Sequence, residues 1–170
     1  MGHRARTGRL SATTTEPLPW RTAGLGDAVA LRDLERRANL AGFGHVFGAE
    51  PFPDDEVLAR WRATLVEPGV VTEVLDGENR PVALLCHEEG LLRHLSVDPA
   101  AWGLGIGSAA LARFAATHGA GSTLWCLERN ARALALYARH GWTPTGRTRR
   151  TPFPPWPTEV ELALRSADAR

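Results

Sequence analysis

Two short stretches carry residue types at spacings that could do chemistry. In the first, Asp98-Pro99-Ala100-Ala101-Trp102-Gly103-Leu104-Gly105-Ile106-Gly107-Ser108, three glycines alternate just before a small-residue helical run. Such glycines free successive backbone N–H groups to point at one spot. A phosphate can then approach closely, and the dipole of the following helix favours its negative charge. The loop has no lysine, and Ser108 follows Gly107 without the Gly-Lys-Ser order of an ATP-binding P-loop, which argues against γ-phosphate chemistry. A glycine turn that only packs a helix on a strand would read the same way. Gly105-x-Gly107-x-x-Ala110 also fits a dinucleotide fingerprint, with Glu128 near the place of a ribose-binding acid. Against that stand the residues Asp98 to Trp102, which separate the strand from the first glycine, and the ~40 residues left for further parallel crossovers.

The second stretch runs from Asn130 to Trp142, Asn-Ala-Arg-Ala-Leu-Ala-Leu-Tyr-Ala-Arg-His-Gly-Trp. Asn130 suits a helix N-cap, and Tyr137, seven residues later, lies on the same helix face. Taken alone, Asn130 could merely cap and Tyr137 merely fill the core. Tyr137 is the single tyrosine of the chain.

The elements that must position these residues can be read from periodicity. Leu18 to Thr22 could open a sheet. Leu25, Ala28, Val29 and Leu34, with Leu31 off the face, predict an amphipathic helix over 25–39 that stops at Gly42-Phe43-Gly44. Pro53-Asp54-Asp55-Glu56 begins a second helix, and Pro68-Gly69 ends it. Strands follow over 70–75 and 81–87, joined by the turn Asp76-Gly77-Glu78-Asn79, then a third over 91–97. After the glycine loop come a helix to about His118, a strand over 123–128, and a helix over 131–140 closing on Gly141. Two strands, 142–150 and 158–164, flank a proline-rich loop. The order predicts an α/β domain with a mixed, mostly antiparallel sheet and about four flanking helices.

Length and composition fit one domain. The 170 residues are 44% hydrophobic and 23% charged, which excludes wholesale disorder. A net charge of +1 argues against a dedicated duplex-binding surface, so no nucleic-acid partner is expected. No run approaches the ~18 apolar residues of a membrane span. The expected organisation is a flexible segment over 1–17, a domain over 18–165 and a short tail over 166–170. Arg4, Arg6 and Arg9 have no apolar run behind them, unlike a signal peptide. Cys86 and Cys126 sit in strand-like runs without metal spacing, so buried reduced thiols, no metal and a cytoplasmic location are expected.

The two motifs in this order resemble those of the GCN5-related N-acetyltransferase (GNAT) superfamily. Its acetyl-CoA loop, Gln/Arg-x-x-Gly-x-Gly/Ala, is matched by Trp102 to Gly107 after Leu95-Ser96-Val97-Asp98-Pro99. Its later helix, Asn-x-x-Ala-x-x-Leu/Phe-Tyr-x-x-x-Gly-Phe, is matched by Asn130 to Gly141, with Trp142 in the Phe place. The resemblance spans about Leu18 to Leu164 and implies the family's acyl-CoA fold, with splayed central strands. It implies that the cofactor-binding set is Leu95, Ser96, Val97, Trp102, Gly103, Leu104, Gly105, Ile106, Gly107, Ser108, Asn130 and Tyr137. Backbone groups of Leu95 and Val97 would pair with the pantetheine arm, N–H groups of Gly103, Gly105, Gly107 and Ser108 would cradle the pyrophosphate, and Asn130 would bond the arm near its thiol end. Tyr137 would sit at the thioester sulfur. Trp102 departs from the family's polar residue, and Leu104 holds a place often basic, so phosphate binding is expected to rest on backbone and dipole alone.

The implied reaction is direct attack of an amine on the acetyl group of acetyl-CoA. A phenol of pKa near ~10 can serve a departing thiolate of pKa near ~8.5 while staying protonated at pH 7. An N–H near Val97 would hold the oxyanion. For the base, His94, Glu88, Glu89 and Glu128 compete, with Glu128 and Tyr137 taken as the catalytic candidates and a water chain left open. Strand alternation sends Arg93 and His94 to opposite faces. Phe43, Phe47, Phe52, Trp61, Phe153 and Trp156 could line a mouth for a small amine with an apolar or cationic part. The same aromatics could instead fill the core or a dimer contact, so a homodimer is one expected assembly. A protein or peptide N-acetyltransferase and a non-catalytic acyl-CoA-binding module are the other functions weighed.

Overall fold

The computed structural model describes residues 18–166; the segment over 1–17 and residues 167–170 of the expected tail lie outside the described residues. Seven strands, β1 (Trp20–Thr22), β2 (Val71–Asp76), β3 (Pro81–Glu88), β4 (Leu91–Val97), β5 (Thr123–Leu127), β6 (Trp142–Arg150) and β7 (Thr158–Leu164), form one sheet in the order β1-β2-β3-β4-β5-β7-β6. All neighbours are antiparallel except β4 and β5. Four helices pack on it: α1 (Ala28–Phe47), α2 (Asp54–Thr64), α3 (Ile106–His118) and α4 (Ala131–Arg139). This is the mixed α/β architecture expected of the GNAT fold.

The sheet is covered on both faces. Leu31 and Leu34 of α1 and Val57 and Trp61 of α2 bury against Val74, Leu84 and Cys86. On the other face Ala110, Leu111 and Phe114 of α3 and Tyr137 of α4 meet Leu85, Leu92, Leu124, Cys126 and Leu162. Alternation sends Leu84 and Cys86 of β3 to one face and Leu85 to the other, which is why this central strand is a continuous apolar run. Both cysteines are free and buried.

Two details depart from the pattern in the sequence. The first helix does not stop at Gly42. A 3-10 turn (Leu25–Asp27) precedes it, and α1 continues to Phe47 through a kink at Phe43, whose φ is −149° and ψ 24°. The flanking glycines bend the helix instead of ending it. Its buried stripe is Ala28, Leu31, Leu34 and Ala38, while Leu25 and Val29 are exposed. With so few large apolar residues, the phase was set by packing on β3 and not by the helix's own pattern.

The second departure lies in β4. Cys86 pairs with His94 and His87 with Leu92, so Arg93 is an extra, bulged residue. A bulge breaks the side-chain alternation and bends the strand. Arg93 and His94 therefore both make their contacts on the α2 side, Arg93 with Glu67 at 2.9 Å and His94 with Arg60 at 2.7 Å, instead of facing opposite ways. Pairing of β4 with β5 stops at Leu92, immediately before the bulge, and the two parallel strands separate beyond it.

Candidate active site

The gap between β4 and β5 leaves backbone groups exposed in a fixed order. Asp98 N–H donates to Val82 C=O at 2.8 Å, so residues of that phase face β3. Alternation along an antiparallel strand then turns the N–H and C=O of Leu95 and Val97 toward the open side. Leu95, Ser96 and Val97 line one wall of a cavity of about 380 Å³. Trp102, Gly103, Gly105, Ile106, Gly107 and Ser108 line its floor, and Asn130 and Tyr137 of the α4 segment lie across from β4. Eleven of the twelve expected cofactor-binding residues, all but Leu104, thus meet at one place.

The three glycines have different reasons to be there. Gly103 and Gly105 have φ of +83° and +80°, a left-handed backbone that other residues adopt only with strain. Gly107 is needed for close approach: a Cβ there would lie 3.0 Å from Leu136 Cδ2 of α4. The N-terminus of α3 is thereby aimed at the cavity and set tightly against α4. Ser108 Oγ is engaged by His140 Nε2 at 2.9 Å. Leu104 is the exception, with its exposed side chain outside the cavity lining.

At the other wall, Asn130 caps α4 by accepting from Ala133 N–H at 3.2 Å. Its carbonyl oxygen is thus used, while its amide nitrogen has no protein partner among the described residues. Tyr137 is buried beside Trp142, the ring centroids 6.1 Å apart. Burial raises its phenol pKa, and nearby Cys126 raises it further. The hydroxyl stays a neutral donor across the physiological range. Burial also pushes Cys126 up to about 12, with Glu159 adding to it, so this thiol stays protonated.

The base candidates fare differently from Tyr137. Glu88 ends β3 and Glu89 lies in the turn before β4, on the order of 20 Å of strand from Val97. Glu128 is exposed and lines a separate cleft with Arg129, Arg150 and Pro155, so the structure does not bring it to Tyr137. His94 accepts from Arg60 Nη1 through Nε2, which leaves its proton on Nδ1 and no free lone pair. Burial first, then the charges of Arg60, Arg93 and Arg149, hold its pKa well below the usual value. Arg60 is itself clamped on Glu35 at 2.6 and 2.8 Å, and Trp61 Nε1 donates to the same carboxylate at 2.9 Å. His94 belongs to a packed polar network.

Two cations missed in the sequence line the cavity: Arg132 and Arg139, both from α4. The cavity therefore offers an anion two side-chain cations besides backbone N–H groups and the helix dipole. Nothing local to the glycine loop signals them, because they arrive from an element that follows in sequence only after β5.

A second cavity of about 610 Å³ lies between α1, the segment leading to α2, and the β6–β7 loop. Its walls combine Phe47, Phe52 and Phe153 with the carboxylates of Glu35, Glu50, Asp54, Asp55 and Glu56, and it meets the first cavity at Asn39. Of the other expected aromatics, Phe43 lines the first cavity, Trp61 is wholly buried core and Trp156 is exposed. Asp54 lies 3.6 Å from Arg32 and 3.7 Å from Arg36, yet its buried Oδ1 takes no hydrogen bond.

Residues 64–144 match the family model described as acetyltransferase (GNAT) domain. No curated protein matches the sequence. Among solved structures, the chain resembles apo YjaB from Escherichia coli with a TM-score of 0.70 at 19% identity, covering 88% of this chain and 98% of that one. It resembles a ribosomal-protein alanine N-acetyltransferase from Escherichia coli with a TM-score of 0.59 at 19% identity, covering 89% and 96%. PaiA N-acetyltransferase from Thermoplasma acidophilum, solved in complex with coenzyme A, matches with a TM-score of 0.58 at 11% identity, covering 84% and 96%. Residues 64–144, centred on the β4–α3 loop, thus match the GNAT acetyltransferase domain, and the fold of the described residues is the one these solved structures share.

Proposed function

We propose that this protein is an acetyl-CoA-dependent N-acetyltransferase acting on a small amine with a cationic centre and an apolar part. The observation that carries this reading is the meeting at Asn39 of two chemically distinct cavities. One offers outward-facing strand backbone, glycine N–H groups and arginines, which fits an extended phosphorylated thioester. The other offers carboxylates and aromatic faces, which fits an ammonium on an apolar frame.

In this reading the backbone of Leu95 and Val97 orients the pantetheine arm, and the N–H groups of the glycine loop hold the pyrophosphate. Val97 N–H donates to the oxyanion as the amine nitrogen bonds to the acetyl carbon. The C–S bond then breaks, and Tyr137 supplies a hydrogen bond or proton to the departing sulfur. None of His94, Glu88, Glu89 or Glu128 lines either cavity. In this reading the amine's proton leaves through water in the acceptor cleft, whose walls carry the carboxylates of Glu50, Asp54, Asp55 and Glu56. Phe153 and Pro154 from the β6–β7 loop close one side of that cleft, which favours a small acceptor over a polypeptide laid in a groove. The two free, buried cysteines suit a reducing compartment such as the cytoplasm.

Coenzyme A release measured over a panel of amines tests the reading. Aminoalkyl aromatics and diamines should turn over faster than acidic amino acids or peptide N-termini. Turnover confined to peptides would reassign the protein as a peptide acetyltransferase. Tight coenzyme A binding with no amine turnover would reduce it to an acyl-CoA-binding module.

A further inference from the structure

Trp102 stands where the family pattern carries a polar residue, and the structure gives it a defined task. Its indole Nε1–H donates to Val97 C=O at 2.8 Å, fixing the ring at the end of β4. The ring edge reaches α1, close to Gly42. The Arg132 guanidinium carbon lies 3.8 Å from the ring centroid, a close face-on stack. Both side chains line the same cavity as Gly103, Gly105 and Gly107.

Stacking engages the face of a guanidinium and leaves its five N–H donors free around the edge, where bidentate bonds to phosphate oxygens form. Arg132 has no carboxylate partner among the described residues. It also sits in the first turn of α4, where the helix dipole disfavours a cation. An exposed, unpaired arginine held rigidly at the positive end of a helix gains its counter-charge only when an anion enters.

We propose that Arg132, held flat by Trp102, is the cation for the pyrophosphate of acetyl-CoA, replacing the basic residue that the glycine loop lacks at Leu104. The assignment rests on the first cavity being the acetyl-CoA site. Trp102 is then a positioning residue acting through Arg132.

Calorimetric titration at two salt concentrations tests it, using acetyl-CoA, dephospho-coenzyme A, which keeps the pyrophosphate but lacks the 3′-phosphate, and acetyl-pantetheine, which has no phosphate. Arg132→Gln should weaken the first two by about tenfold, the worth of one charge-assisted hydrogen bond, and flatten the salt dependence. Acetyl-pantetheine affinity should not move. Trp102→Leu should reproduce the loss, and the double variant should bind no more weakly than either single one. The melting temperature of unliganded Arg132→Gln should equal or exceed that of the parent, which a merely structural arginine would not allow. Unchanged affinity in Arg132→Gln, or a loss confined to acetyl-CoA and absent with dephospho-coenzyme A, would overturn the assignment while leaving the cavity's reading intact. Failure of the parent protein to bind acetyl-CoA at all would bring down both.

Discussion

Tyr137 combines two properties that a reaction at sulfur needs. Its ring packs against Trp142 in the core, and it lines the cavity that the glycine loop and β4 build. Burial raises the phenol's pKa, so what it offers a departing thiolate is a neutral O–H and never a phenolate. Removing only that oxygen isolates its chemistry from its packing. Tyr137→Phe should lower kcat by about a hundredfold or more, the usual worth of a positioned general acid. Acetyl-CoA affinity and melting temperature should stay near those of the parent. Steady-state kinetics beside a binding titration reads both, and undiminished kcat would leave Tyr137 a packing residue alone. The role could be proposed from sequence because the Asn130–Trp142 stretch resembles the GNAT helix motif, while helical spacing by itself only put Asn130 and Tyr137 on one face. His94 could not be judged that way, since Arg60, which occupies its lone pair, is brought by tertiary packing.

Elements were legible where their signals are local, and illegible where the decisive partner is remote. The range of β4 and the final strand pair were readable from alternation and turns. The bulge at Arg93 was not: it is a mismatch in pairing between β3 and β4, and no residue type announces it. Yet that bulge ends the β4–β5 ladder at Leu92 and opens the edge that Leu95 and Val97 present. Likewise the glycine loop was visible, but Arg132 and Arg139 were not associated with it, because α4's approach to α3 depends on contact between Gly107 and Leu136. The left-handed N-cap of α3 can be tested without its ligand. At Gly105 a Cβ would meet nothing within 4 Å, so Ala should cost only its conformational penalty, about 1–2 kcal/mol. Asn, which tolerates the left-handed region, should recover part of that loss. Urea denaturation of the three proteins distinguishes this. Equal stability of Gly105→Ala and the parent would show that the positive φ imposes no constraint.

Across the whole molecule, the sheet carries buried imidazoles on both faces, and they make acid the weak side of its stability. On the α1–α2 face His94 is held neutral by burial and by Arg60, Arg93 and Arg149, with the Trp61 ring at 5.2 Å and Glu35 beyond Arg60. On the α3 face His87 is lowered by burial and then by His118, whose Nε2 lies 2.8 Å from His87 Nδ1, while Glu73 opposes the shift and Arg113 adds to it. A histidine whose folded pKa lies below its unfolded value binds fewer protons in the native state. Its contribution is therefore complete above the unfolded pKa of about 6.5 and is lost as pH falls toward the folded value. Each unit of depression is worth about 1.4 kcal/mol once the window is crossed. Melting temperature should accordingly begin to fall below about pH 6.5, before most carboxylates titrate. His94→Gln keeps an acceptor for Arg60 but cannot take up a proton. It should flatten the decline between pH 7 and pH 5 and leave the remainder to His87. Melting curves of the two proteins across that range decide the matter, and an identical pH dependence would remove His94 from the account of acid stability.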